Sequence, residues 1–224
     1  MVVAKIPELA NGDRLTRAEF ERRYDATPNL KKAELVEGKV YIPGRTSLKH
    51  AEPRAHAVLW LGTYALSTPR IDAAAHSSVR LDRDNEPQPD ALLRLEPRVG
   101  GTSKVSADDY IEGPPELVVE IASSTVSYDL HDKLRAYRRN GVKEYLVWRV
   151  QEEAFDWFIL NEGQYVRLEP EDGVLESRVF PGLMLNVDAL LKDDMQEVMK
   201  TLQDALQSEV HEAFVEALEA RANT

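Results

Sequence analysis

Three ionisable residues carry side chains suited to phosphate chemistry: Asp90, Glu120 and Lys133. Glu120 interrupts an apolar run, Leu117-Val118-Val119-Glu120-Ile121. An ionised carboxylate is expensive to bury unless it is paired or binds a cation. Asp90 opens a second strand candidate, Ala91-Leu92-Leu93-Arg94-Leu95, directly after Pro89. Adjacent strands can bring two such carboxylates to one cation. Magnesium takes one or two carboxylates and keeps waters for substrate phosphates. Lys133 lies near the start of the next helical pattern and points back toward the strand ends. Tyr137 shares its helix face at i+4, and Asp129 at i−4 is a candidate partner. Spacing alone leaves an alternative open: Asp90 as a turn cap and Glu120 paired with an arginine.

These residues need a strand, helix, strand unit to hold them, and Glu116 to Trp148 reads as one. Two apolar runs, 117–121 and 144–148, flank a polar link and a helical pattern over Asp129 to Asn140, closed by Gly141. A connection of this length suits two parallel strands joined by a right-handed crossover. Parallel strands are buried on both faces, which accounts for the unbroken apolar runs.

Upstream, Thr16-Arg17-Ala18-Glu19 fits a capping box for a short helix ending near Asp25. Glu34 to Ile42 reads as a hairpin turned at Glu37-Gly38. Residues 52–67 have helical spacing, with His56 at the opening of the helix and Pro69 beyond its end. Ala73 to Leu81 shows strand-type alternation. Downstream, Phe155–Leu160 and Gln164–Leu168 form a second hairpin, and Val174–Phe180 a further extended piece. Residues 187–192 read as a short helical turn. From Asp193 to Ala222 an apolar stripe predicts one amphipathic helix, ~40 Å long at 1.5 Å per residue. We therefore expect a domain over 1–192 and a C-terminal helix over 193–224. That helix either packs on its own domain or mediates homo-oligomerisation.

Composition narrows the class. With 43% hydrophobic and 30% charged residues the chain is globular in type. No stretch approaches the ~20 apolar residues of a membrane span, and no signal-peptide core is evident. There are no cysteines, so disulfides and thiolate metal sites are excluded and a reducing, cytoplasmic location is the natural expectation. The net charge of −11 argues against nucleic acid at first. Its distribution changes that: residues 151–224 carry a net of −12 and residues 1–150 a net of +1. The helix after Glu120 is locally basic, which fits a solvated face or a phosphate-facing one.

Five motifs occur together in a fixed order: Glu34-Leu35-Val36-Glu37-Gly38, Pro89-Asp90, Leu117 to Ser123, Asp129 to Lys133, and Tyr137-Arg138 with Gly141-Val142-Lys143-Glu144-Tyr145. With Phe180-Pro181-Gly182-Leu183 they resemble the Uma-two family of putative restriction endonucleases over roughly residues 15–190. The resemblance implies an α/β fold of the PD-(D/E)xK nuclease type. That is a mixed central sheet in a restriction-endonuclease-like core with flanking helices, here extended by a C-terminal β-hairpin and a long C-terminal helix. It also implies a Mg2+ (or Mn2+) phosphodiesterase acting on nucleic acid, with DNA the expected partner. Asp90 and Glu120 would be the metal-binding acids. The lysine of the ExK element would fall at position 122, which is Ala122 here. The family resembles nucleases whose lysine has moved to the next helix, and Lys133 fits that role. Glu34 matches a further family acid in the catalytic set. His56, Ser123, Tyr137 and Arg138 are candidate substrate-binding or supporting residues. Ser123-Ser124 lacks the G-x-S-x-G context of a nucleophile elbow and reads as loop or phosphate contact. His50 and His56 are six apart, unlike a helical zinc pair.

Two functions follow. One is a metal-dependent nuclease built on Asp90, Glu120 and Lys133. The other is a non-catalytic protein on the same fold, binding nucleic acid or protein. The acidic C-terminal part and Ala122 favour the second.

Overall fold

The computed structural model describes residues 6–45, 47–123 and 125–223. The chain begins with helix α1 (Arg17–Asp25), hairpin strands β1 (Glu34–Val36) and β2 (Lys39–Tyr41), and helix α2 (Leu48–Ser67). Strands β3 (Ile71–Ala74), β4 (Val79–Arg80), β5 (Ala91–Leu95), β6 (Lys104–Val105), β7 (Ile111–Glu112) and β8 (Leu117–Ala122) follow. The crossover consists of α3 (Val126–Tyr128), a π-helical turn (Asp129–Lys133) and α4 (Leu134–Asn140). Then come β9 (Glu144–Arg149), β10 (Ala154–Asn161), β11 (Gln164–Arg167), β12 (Val174–Glu176) and β13 (Met184–Asn186). Helices α5 (Val187–Leu191), α6 (Met195–Leu206) and α7 (Glu209–Ala222) close the chain.

The central sheet has the order β11-β10-β9-β8-β5-β3. Only β8 and β9 pair in parallel within it, and the crossover helix joins them as the sequence predicts. Every residue of β8 is buried, and strand alternation sorts its two faces. Leu117, Val119 and Ile121 face the main core with Trp60 and Leu61 of α2. Val118 and Ala122 face the other way, with Leu92 of β5 and Tyr137 of α4. Glu120 has the parity of the second set. The β5–β8 register pairs Ala91 with Val119, so one further step sets Asp90 opposite Glu120 on that face. A third cluster, Phe20, Leu35 and Val40, holds α1 against the first hairpin. The mixed sheet flanked by helices is the expected α/β class, and β10–β11 is the expected hairpin extension.

Several local expectations change. The hairpin turn holds, with Glu37 and Gly38 at φ of 52° and 69°, the left-handed pair of a tight hairpin. Thr16 caps α1 in position only: its side chain makes no cap bond, and Glu19 binds Arg22 and Arg23 instead. Helix α2 begins at Leu48 and includes Pro53, so His56 lies inside it rather than at its opening. Ala73 to Leu81 divides into β3 and β4, which belong to different sheets. Residues 174–180 shorten to β12, paired with β13 away from the central sheet.

The C-terminal helix is also corrected. It is two helices of 12 and 14 residues, broken at Gln207-Ser208. Ser208 Oγ accepts from the His211 amide at 3.3 Å and so starts α7 afresh, a cap that competes with continuation of α6. Asp194 caps α6 in the same way, accepting from Glu197 N at 3.1 Å. Val198, Leu202 and Leu218 are buried in the main core, so part of the apolar stripe packs within the chain. No helix among the described residues is long and apolar enough to cross a membrane.

Candidate active site

Glu34 enters the site from the first strand of the hairpin. Leu35 exchanges backbone hydrogen bonds with Glu86, which fixes the neighbouring Glu34 beside Gln88. Glu34 Oε1 accepts from the Gln88 amide at 2.8 Å and from Lys133 Nζ at 3.1 Å. Asp90 is held by three groups. Its Oδ2 accepts from the Ile121 amide at 2.8 Å, and its Oδ1 from Arg54 Nε at 2.8 Å, with His50 Nε2 at 3.5 Å. Burial would raise the Asp90 pKa. The His50 and Ile121 hydrogen bonds, with the positive charges of Arg54 and Lys133, outweigh it and hold the carboxyl well below the usual range.

Glu120 Oε1 accepts from Lys133 Nζ at 2.8 Å and from the Tyr137 hydroxyl at 2.8 Å. Burial pushes its pKa up to about 8; Lys133 opposes this, while Asp129, Asp90 and Glu34 add to it. Lys133 and Asp129 sit on the π-helical turn, a widening frequent at functional sites. The turn is anchored at its first residue. Tyr145 Oη donates to the Asp129 carbonyl at 2.9 Å, and Thr125 Oγ1 donates to Asp129 Oδ2 at 2.5 Å. Asp129 Oδ1 stands 3.9 Å from Lys133 Nζ. Burial, which Lys133 and Thr125 oppose, raises the Asp129 pKa to about 6. Lys133 is itself buried, which would lower its pKa. Glu120, Glu34 and their neighbours reverse that, and the ammonium stays charged well above the ordinary lysine range.

These groups line a cavity of about 410 Å³. Glu34, Asp90, Glu120, Asp129 and Lys133 are each buried at its floor. Lys32, Arg45, Lys49 and Arg54 line the same cavity and give it a cationic wall, with His50 and His76 beside them. His76 has its pKa lowered, first by burial and then by Arg54 and Lys32. Tyr128 also lines the cavity, with its ring 3.9 Å from that of Tyr41 and 5.3 Å from Lys133 Nζ. Its hydroxyl is buried without a hydrogen-bond partner among the described residues, a state that costs about 1–3 kcal/mol. Burial, with the charges of Glu34 and Glu120, holds the phenol far above its usual pKa, so it is a proton donor.

The cavity thus joins Asp90, Glu120, Lys133 and Glu34 from four separate stretches of the chain. Ser123 lines it too, with Oγ 3.4 Å from His50 Nδ1, while Ser124 lies outside the described residues. Tyr137 supports Glu120 from the buried side. Two candidates stand elsewhere. His56 lines a small apolar cavity with Trp60, Trp148 and Phe155, and its Nδ1 is 3.7 Å from Asp193. Arg138 bonds outward to Gln164 Oε1 at 2.6 Å and the Gly163 carbonyl at 3.3 Å. Sequence reasoning missed His50, Arg54 and Tyr128. The signal for the first two is the i,i+4 spacing of His50 and Arg54, visible once α2 is carried through Pro53.

The acidic floor has the donor chemistry of a divalent-cation site. Four carboxylates face Lys133 and Arg54; burial is the main cause of the upward shifts of Glu120 and Asp129, and the neighbouring carboxylates add to it. Both hydrogen bonds to Glu120 go to Oε1. Among the described residues no three His, Asp or Glu side chains are already grouped to hold a metal. Two carboxylates suffice for magnesium, which completes its shell with water and substrate oxygens.

Comparison with known proteins fits this geometry. A model of the Uma2 family, described as "putative restriction endonuclease", matches residues 17–188. A crystal structure of a putative nuclease belonging to DUF820, from Anabaena variabilis, aligns with a TM-score of 0.53 at 12% identity. The alignment covers 76% of this chain and 90% of that one, and it shows a shared nuclease-like fold. No curated protein matches the chain.

Proposed function

This chain belongs to the Uma2 family of putative restriction endonucleases, and from that premise we propose that it is a metal-dependent nuclease hydrolysing phosphodiester bonds in DNA. The observation that carries the reading is Lys133. A buried ammonium 2.8 Å from Glu120 and 3.1 Å from Glu34 sits at the floor of a cavity that Asp90 also lines. Asp90 and Glu120 would hold Mg2+ or Mn2+, which when bound neutralises phosphate charge and lowers the pKa of a water. The Ile121 amide and Arg54 orient Asp90, and Tyr137 orients Glu120. Lys133 keeps its proton and would donate to the attacking water or to a phosphate oxygen as charge builds there. Glu34, held by the Gln88 amide, aims the lysine. A cysteine-free chain suits the cytoplasm as its place of action.

One observation favours the second reading, a non-catalytic binding protein: Arg54 and the Ile121 amide already occupy both oxygens of Asp90. Cleavage of DNA in Mg2+ or Mn2+ decides between them. Asp90→Ala, Glu120→Ala and Lys133→Ala should each lower the rate by about 10²-fold or more, the scale of losing one group that stabilises transition-state charge. Equal cleavage by all three variants would rule out the nuclease assignment. Thermal melting of each variant separates lost chemistry from lost fold.

A further inference from the structure

The five ionisable groups of the cavity floor are almost closed to solvent: Glu34 is 4% exposed, Asp90, Glu120 and Lys133 3%, and Asp129 2%. A phosphate on the outer ridge of an intact duplex cannot come within hydrogen-bond reach of groups so enclosed. The cavity, about 410 Å³, lies at the lower end of the ~300–1,000 Å³ that enclose small molecules. It has room for a nucleotide-sized group. An unpaired nucleotide enters such a pocket without the cost of leaving a stack and a base pair.

Charge points the same way. A broad duplex footprint of about 6–10 phosphates needs as many cations, and residues 1–150, which supply every group of the cavity floor, carry a net of only +1. The cavity wall offers a short run instead. Arg45 and Lys49 are exposed there and make no ion pair among the described residues. Deeper in, the buried Tyr128 hydroxyl has no acceptor among the described residues. Tyr41, against which the Tyr128 ring packs, already donates to Asp132 at 2.7 Å.

We propose, resting on the hydrolase reading above, that the cavity takes one unpaired nucleic-acid strand in preference to a continuous duplex. In it the Tyr128 hydroxyl donates to a phosphate oxygen, and Arg45 and Lys49 hold flanking phosphates at the rim.

The test is fluorescence anisotropy with a labelled single-stranded oligodeoxynucleotide and the same strand in a blunt duplex, both in Ca2+. The single strand should bind at least tenfold more tightly. Tyr128→Phe keeps the ring against Tyr41 and removes only the hydroxyl. It should weaken single-strand binding about tenfold while leaving Tm unchanged or raised. A merely structural hydroxyl would lower Tm and leave binding alone. Replacing Arg45 and Lys49 together by Ala should flatten the salt dependence by about 1.4, at ~0.7 per phosphate for single strands. Duplex binding as tight as single-strand binding, or wild-type affinity in Tyr128→Phe, overturns the proposal. The two readings fail separately. Single-strand binding of this kind with no cleavage in Mg2+ or Mn2+ defeats the hydrolase and supports the strand preference. Equal binding and cutting of the duplex does the reverse.

Discussion

Strand β8 and its parallel neighbour β9 each bury a glutamate, and the two are held in opposite ways. Glu144 Oε1 accepts from the amides of Arg178 at 2.6 Å and Val179 at 3.1 Å. Its Oε2 accepts from the Ser177 hydroxyl at 2.8 Å and the Trp157 indole at 3.3 Å. Every donor is neutral, and both oxygens are committed. Glu116 is similar, closed by the Leu95 amide at 2.8 Å and by the Thr102 amide and hydroxyl at 2.9 and 2.7 Å. Glu120 instead receives an ammonium and a phenol on one oxygen and lines a cavity. Buried acids closed by backbone donors tie one segment to another. An acid paired with a side-chain cation beside open volume can exchange that partner for a ligand.

Replacing each acid by its amide should separate these roles. Glu120→Gln keeps the shape and replaces one carboxyl oxygen by an amide nitrogen that cannot bind a cation, so we expect a loss of about 10²-fold or more in cleavage with little change in Tm. Glu144→Gln offers one acceptor oxygen where the acid offered two. Its amide NH₂ must then face the Ser177 and Trp157 donors. Ser177 can turn to accept, but Trp157 cannot. The expected cost is on the order of 2 kcal/mol, or roughly 4–8 °C in Tm for a chain this size, with cleavage per folded molecule preserved. Calorimetry and a cleavage assay on both variants check this. Equal melting losses would erase the distinction.

Dependence on pH sharpens it next. Burial raises the Glu144 pKa to about 7, although Ser177, Trp157 and the two amides pull it down. The folded value lies above the ordinary 4.5, so between these limits the folded state binds the extra proton. The contribution of Glu144 is therefore complete below pH ~4.5 and is lost as pH rises through ~7. Glu120 and Asp129 slope the same way. The informative quantity is thus the difference between wild type and Glu144→Gln. Melting curves from pH 4.5 to 7.5 should show a smaller decline in the variant. An unchanged slope would mean that Glu144 stays ionised throughout.

What the sequence disclosed follows from the range of each signal. Glu120 stands out because a fully buried parallel strand tolerates few charges. Spacing made Asp90 and Lys133 candidates beside it, and the family resemblance singled them out. The Lys133–Glu34 bond joins residues 99 apart, and no period carries that information. Glu116 and Glu144 look in sequence like ordinary charges at strand ends, since the donors that enclose Glu144 at Ser177–Val179 are 33–35 residues away. Pro53 hid the first turns of α2 and with them His50 and Arg54. At the C-terminus the apolar stripe outweighed Ser208, a cap residue whose competing signal is only one residue wide.

The smallest expected effect tests the contrast from its other side. Lys143 Nζ is 3.6 Å from Glu116 Oε1, and its side chain is 38% exposed. Like the Lys133–Glu120 pair, at 2.8 Å, it sets a lysine beside a buried glutamate. Glu116, however, already has three neutral donors, and water screens a cation so exposed. Lys143→Ala should therefore cost less than about 0.5 kcal/mol, a Tm change of at most ~2 °C. Lys133→Ala, which strands Glu34, Glu120 and Asp129 together in a buried site, should cost several times more. Comparable losses from the two lysines would mean that Glu116 also depends on its cation. Backbone closure would then no longer distinguish the acids that fasten the fold from the one that faces the cavity.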